Sequence, residues 1–174
     1  MMNADLSDRI HRFFWWSLLA VCLFAMAVAV YYQYYMGEEP CQVCIHIRLW
    51  VVGLIFLALI NLVTPKGRLL KVAGYVSAAG FGYGLGERSW YLYQLENGYG
   101  DGSCEFELGM PDWFAVDRWI PSLFEVRNLC SYTPEIFFGI SMAEALLFLA
   151  SAICLVSLIL LVTDGRSSAV TKQA

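Results

Sequence analysis

The residues best placed to do chemistry in this chain are Pro40-Cys41-Gln42-Val43-Cys44, set where an acidic turn enters an apolar run, with Arg48 one helical turn later. A Cys-x-x-Cys pair at a helix start is a place to make and break a disulfide. The N-terminal end of the helix dipole and a nearby guanidinium both favour the thiolate, which is the reactive form of cysteine. A second pair, Cys104 and Cys130, brackets a stretch rich in Trp, Pro and acids. It has two readings. It could staple a long loop, contributing roughly 3 kcal/mol in the chain-entropy model. It could instead be a reducible bridge that a partner reaches, and Gly98, Gly100 and Gly102 ahead of Cys104 suit a mobile approach. A knuckle-type zinc site would need a second closely spaced pair. The chain has none, so no metal is expected, and Cys22 and Cys154 fall within apolar runs.

The elements that must position these thiols are membrane spans. Of 174 residues, 59% are hydrophobic and 15% charged, and the mean hydropathy is +0.59. Soluble domains carry about 25% charged residues, so the composition predicts an integral membrane protein. A net charge of -4 with no Lys/Arg run argues against nucleic acid as a partner. Apolar runs predict an all-α, four-transmembrane-helix bundle as a single domain over 1–174. Its spans run from about 13 to 34, 43 to 63, 69 to 93 and 136 to 162. Loops at about 35–42 and 94–135 separate them, the second being a long loop between helices 3 and 4. Phe13-Phe14-Trp15-Trp16 and Tyr31-Tyr32-Gln33-Tyr34-Tyr35 mark the two interfaces of the first span.

Basic residues set the orientation. Arg9 and Arg12 precede the first span, Lys66, Arg68 and Lys71 flank the second connection, and Arg166 and Lys172 lie in the tail. The positive-inside rule places both termini in the cytoplasm. Cys41, Cys44, Cys104 and Cys130 then face the oxidising side, where disulfides persist. Ala27-Val28-Ala29 resembles a signal-cleavage site, but the apolar stretch continues into the tyrosine belt, so an uncleaved span is expected.

Other residues carry paired readings. Arg48 is either a snorkelling side chain or a fixed charge beside the Cys44 thiolate, and in the second case Arg48→Ala is expected to leave the fold intact. His46 reads as an interfacial histidine. Glu144, near Met142, is either a functional intramembrane acid or hydrated at the interface. Gly80, Gly82, Gly84 and Gly86 have the spacing of close helix packing. The segment 111–121, with Trp113, Phe114, Val116, Trp119 and Ile120, reads as a short element on the outer surface or as packing within the loop.

Taken together, the chain resembles the DsbB family of bacterial inner-membrane disulfide oxidases. The resemblance rests on Gln33, on Pro40-Cys41-Gln42-Val43-Cys44 with Arg48, and on Cys104 before Pro111-Asp112-Trp113. It continues through Asp117-Arg118-Trp119-Ile120-Pro121 to Cys130. It implies that a reduced periplasmic, DsbA-like thioredoxin-fold protein attacks a Cys104–Cys130 disulfide at Cys104. Cys130 then attacks Cys41, and Cys44 is freed as a thiolate facing ubiquinone or menaquinone, with Arg48 stabilising it. Tyr91, at a position where the family can place a quinone contact, joins Cys44, Arg48, Met142 and Glu144 as the expected cofactor-binding set. The alternatives are a specialised paralogue with a dedicated partner, a non-enzymatic four-span scaffold and a metal sensor. The vitamin K epoxide reductase family also couples a Cys-x-x-Cys to a quinone, but places that motif late in the bundle.

Overall fold

The structure, a computed structural model, describes residues 2–64, 67–99, 108–128, 135–137 and 139–171. Four long helices dominate: α1 (Met2–Tyr35), α2 (Gln42–Val63), α3 (Arg68–Glu96) and α6 (Met142–Thr171). Between α3 and α6 lie a 3-10 turn (Asp112–Phe114) and two single-turn helices, α4 (Val116–Trp119) and α5 (Pro121–Phe124). They are followed by an antiparallel pair, β1 (Glu135–Phe137) and β2 (Ile140–Ser141). Three stretches, Leu6–Tyr35, Gln42–Val63 and Met142–Asp164, are long and apolar enough to cross a membrane. The last of them buries the smallest share of its residues, as expected of a helix whose outer face meets lipid tails. With 29 residues, α3 is about 43 Å long, but its glycines, tyrosines and the Glu87-Arg88 pair dilute its apolarity.

The packing order runs α1 on α2, α2 on α3, and α3 on α6. Helical periodicity assigns the inner faces: Ile47, Val51, Leu54 and Ala58 on α2, and Ala78, Leu85 and Leu92 on α3, are all buried. Opposite faces carry exposed Phe24, Phe56, Tyr83 and Phe148. The glycines of α3 alternate between neighbours. A Cβ on Gly84 would lie 2.7 Å from the Trp50 ring of α2, and one on Gly82 would lie 3.0 Å from Ile153 and Cys154 of α6. Gly86 faces Ala150. The row is therefore a packing surface on two sides.

The start of α6 differs from the expected span boundary near 136. Gly139 takes a positive φ of 80°, which lets β1 turn back as β2, and the helix begins at Met142. Ser141 and Glu144 form a capping box. The Ser141 hydroxyl accepts from the Glu144 N–H at 3.3 Å, and the Glu144 carboxylate accepts from the Ser141 N–H at 3.1 Å. The same hydroxyl donates to Glu96 at the end of α3, 2.9 Å away. Burial, with Glu144 nearby, raises the Glu96 carboxyl above its ordinary value against the opposing Ser141 hydrogen bond. At the other end of the bundle, Lys71 pairs with Asp8 at 2.6 Å and Ser7 donates to Asp164 at 2.9 Å. His11, Trp15 and Tyr75 form a buried hydrogen-bonded cluster beside them.

Gly84→Ala is expected to destabilise the protein by about 1–3 kcal/mol, because the Trp50 ring must move within a packed interface. Equilibrium unfolding in detergent, with Gly80→Ala as the comparison, checks this, since a Cβ on Gly80 meets nothing within 4 Å.

Candidate redox site

Pro40 leads into α2, and Cys41 is its N-cap, with an extended backbone (φ -86°, ψ 168°). The Cys41 Sγ accepts a hydrogen bond from the Cys44 N–H at 3.2 Å, taking the place that a serine or aspartate oxygen usually fills. Cys41 and Cys44 form a disulfide across a Cα–Cα distance of 5.1 Å, inside the ordinary range. Cys41 is only 2% exposed, whereas Cys44 lines a cavity of about 370 Å³. Upstream, α1 ends at Tyr35, Gly37 takes a φ of 75°, and the Glu38 N–H returns to the Tyr32 carbonyl at 3.1 Å.

The cavity is walled by α1 (from Val21 and Phe24 to Ala29 and Tyr32), by α2 (Ile47, Val51) and by α6 (Met142, Ala145, Leu146, Leu149), with Leu92 from α3. Its polar groups gather where Cys44, Arg48, Glu38 and Glu39 line it. An apolar slot with a disulfide sulfur and a cation among its few polar groups can hold a largely hydrophobic molecule and orient its polar end.

Arg48 is 7% exposed, so it does not snorkel. Its Nη1 donates to Gln33 Oε1 at 2.6 Å and to the Leu123 carbonyl at 2.8 Å, and its Nη2 reaches the Ala29 carbonyl at 3.4 Å. Gln33 in turn donates to the Ser122 carbonyl at 2.9 Å, as does the Tyr34 hydroxyl at 2.6 Å. Ser122 and Leu123 belong to the single-turn α5, and their carbonyls lie in its last turn, where a helix leaves its acceptors without partners of its own. Side chains of α1 and α2 supply those partners and hold α5 over the helix ends. Behind it, Ile45, Leu108, Val116 and Phe124 form a second buried cluster, and His46 Nε2 meets the Leu108 carbonyl at 3.0 Å. The segment 111–121 thus packs within the docked loop as well as exposing Trp113 and Trp119.

The loop also reaches the disulfide. The Pro40 carbonyl accepts from the N–H groups of Arg127 and Asn128 at 3.0 and 3.3 Å, and Asn128 bridges Cys41 in a parallel sense. Cys130 follows two residues later in the sequence but, like Cys104, lies outside the described residues. Of the other expected site residues, Cys44, Arg48 and Met142 meet at the cavity, while Tyr91 and Glu144 are not among its lining. Leu92 stands where Tyr91 was expected, and Glu144 is engaged in the capping box. Ala145, Leu146 and Leu149 were not singled out, and only their helical spacing from Met142 could have pointed to them. The role of Gln33 was missed as well, although a lone amide in a tyrosine belt was the available signal.

Arg48→Ala leaves Gln33 Oε1 and the Leu123 carbonyl without their shared donor, a loss of about 1–3 kcal/mol for each group left buried and unpaired. The variant is therefore expected to loosen 121–128, contrary to the expectation of an unaffected fold. Amide hydrogen exchange checks it: protection should fall at Phe124, Arg127 and Asn128 and be retained in α3.

A family model described as "Disulfide bond formation protein DsbB" matches residues 11–160. Disulfide bond formation protein B 2 of Pseudomonas aeruginosa (strain PAO1) is 33% identical over 173 residues, covering 97% of this chain and 100% of that protein. Disulfide bond formation protein B of Shewanella frigidimarina is 34% identical over 138 residues, covering 77% of this chain and 80% of that protein. With the cysteine pair, the buried arginine and the docked loop in place, and with these matches, the chain belongs to the DsbB family.

Proposed function

We propose that this protein is a quinone-dependent disulfide oxidoreductase that reoxidises a periplasmic, DsbA-like thioredoxin-fold dithiol protein. The single observation that carries the reading is the Cys41–Cys44 disulfide at the start of α2, with Cys44 opening onto an apolar cavity that Arg48 also lines. The names of the relatives support disulfide formation as the process. In this reading α3 is the fourth span, both termini are cytoplasmic, and the cysteines face the periplasm across a bacterial inner membrane.

The reaction is a sequence of thiol–disulfide exchanges. A thiolate of the reduced partner attacks Cys104 in a Cys104–Cys130 disulfide, and Cys130 leaves as a thiolate. The partner's second thiolate then attacks its own mixed-disulfide sulfur, so the partner departs oxidised and Cys104 is left reduced. Cys130 attacks Cys41 Sγ, the Cys41–Cys44 bond breaks, and Cys44 leaves as a thiolate. The bridging of Asn128 to Cys41 supports that order, because it anchors the chain just ahead of Cys130 beside its target. Attack by Cys104 on Cys130 restores the loop disulfide and releases Cys41. The Cys41 and Cys44 dithiol must then lose two electrons and two protons to become a disulfide again.

The lining fits ubiquinone or menaquinone. Phe24, Val28, Leu146 and Leu149 offer an apolar wall for an isoprenoid tail, and Cys44 and Arg48 suit the ring end. A bound quinone supplies the two-electron, two-proton acceptor. Cys44 presents the sulfur to it, and Arg48, always charged, stabilises negative charge there. Tyr91 and Glu144 take no direct part in this version of the site.

The test is quinone reduction, followed by ultraviolet absorbance, with purified protein and a reduced thioredoxin-like donor. Turnover should vanish in Cys44→Ser and in Cys104→Ser. The Cys44→Ser protein should still exchange disulfides with the donor, whereas Cys104→Ser should not. Absence of turnover by the folded, unmodified chain with both quinones would exclude the proposal.

A further inference from the structure

At the end of the bundle away from Cys41 and Cys44, a second cavity of about 430 Å³ lies between the N-terminal third of α1 (His11, Arg12, Trp16) and the last turn and C-cap of α2 (Asn61 to Thr64). Its polar groups are unequal. Asn61 donates to the Leu57 carbonyl, and the Thr64 hydroxyl donates to the Ile60 carbonyl, so both are turned to their own helix. His11 is held by Tyr75 and Trp15. Arg12 is exposed, lines the cavity, and has no hydrogen-bond or ion-pair partner among the described residues. Nearby Lys71 differs, being neutralised by Asp8. Among the described residues, no acidic side chain lines the cavity.

We infer that this cavity binds the phosphodiester of an anionic glycerophospholipid, with Arg12 as its cation and Trp16, Leu62 and Val63 against the glycerol and upper acyl chains. Both flanking helices are apolar enough to cross a membrane, and Val63 is 86% exposed and Trp16 58% exposed. The cavity therefore opens at the level where headgroups meet hydrocarbon. Basic pockets between spanning helices take anionic headgroups, and a guanidinium matches phosphate oxygens in paired hydrogen bonds. A choline headgroup would bring a quaternary ammonium into a site that has no carboxylate to receive it.

Native mass spectrometry of the full-length protein in detergent, with phosphatidylglycerol or phosphatidylcholine added, tests this inference. The unmodified chain should retain phosphatidylglycerol about fivefold better than phosphatidylcholine, the size of effect one interfacial cation contributes. Arg12→Gln should abolish that preference and Arg12→Lys should keep most of it. Arg9→Gln, the same charge change outside the cavity, should leave it intact. Equal retention of the two lipids would overturn the anionic-lipid site, and an equal loss in Arg9→Gln would overturn it in favour of diffuse surface charge. Displacement of the lipid by soluble glycerol phosphate at equal concentration would overturn the lipid assignment.

Discussion

A guanidinium removed from water must have acceptors, and the cysteine-bearing end of this bundle is organised around that constraint. Arg48 sits in an apolar helix at a depth where an unpaired charge would cost several kcal/mol. Its acceptors come from α1, through Gln33 and Ala29, and from the loop, through Leu123. One side chain therefore ties together three segments distant in sequence, and the loop segment it recruits is the one that leads to Cys130. The same residue lines the cavity beside Cys44. Positioning of the loop and the charge beside the Cys44 sulfur are thus not separable properties here.

What could be read from the sequence was whatever depends on runs and spacing. The long apolar stretches, the Cys-x-x-Cys at a helix start and the glycine row of α3 all report local pattern, and local pattern is what a linear reading contains. What could not be read depends on rotation and on cross-chain pairing. Tyr91 and Leu92 differ by about 100° around the helix axis, and a gapless count cannot fix which one turns to the cavity. Glu144 was ambiguous between chemistry and hydration, although Ser141-Met142-Ala143-Glu144 carries the spacing of a capping box. The hydrogen bonds from Gln33, Tyr34 and Arg48 to loop carbonyls have no sequence signature, because any residue provides a carbonyl.

The helix order gives the cavity its shape. α1 packs on α2 and α3 packs on α6, so α1 and α6 face each other across the slot without sharing a tight interface along it. Residues on both walls are largely apolar, Phe24 among them although 71% exposed, and the outer face of α6 carries Phe148, 74% exposed. A hydrophobic molecule dissolved in the surrounding lipid would meet no polar barrier on this route, whereas approach from water passes Glu38 and Glu39.

The sulfur that caps α2 is also the sulfur under chemical attack in the proposed exchange. As long as Cys41 stays where it is, its Sγ holds the Cys44 N–H and closes the first turn. If Cys41 is drawn toward another cysteine, that donor loses its acceptor and the turn holding Cys44 is free to fray, at a cost comparable to losing a helix cap, about 1 kcal/mol. Covalent state and helix length are then two readings of one variable.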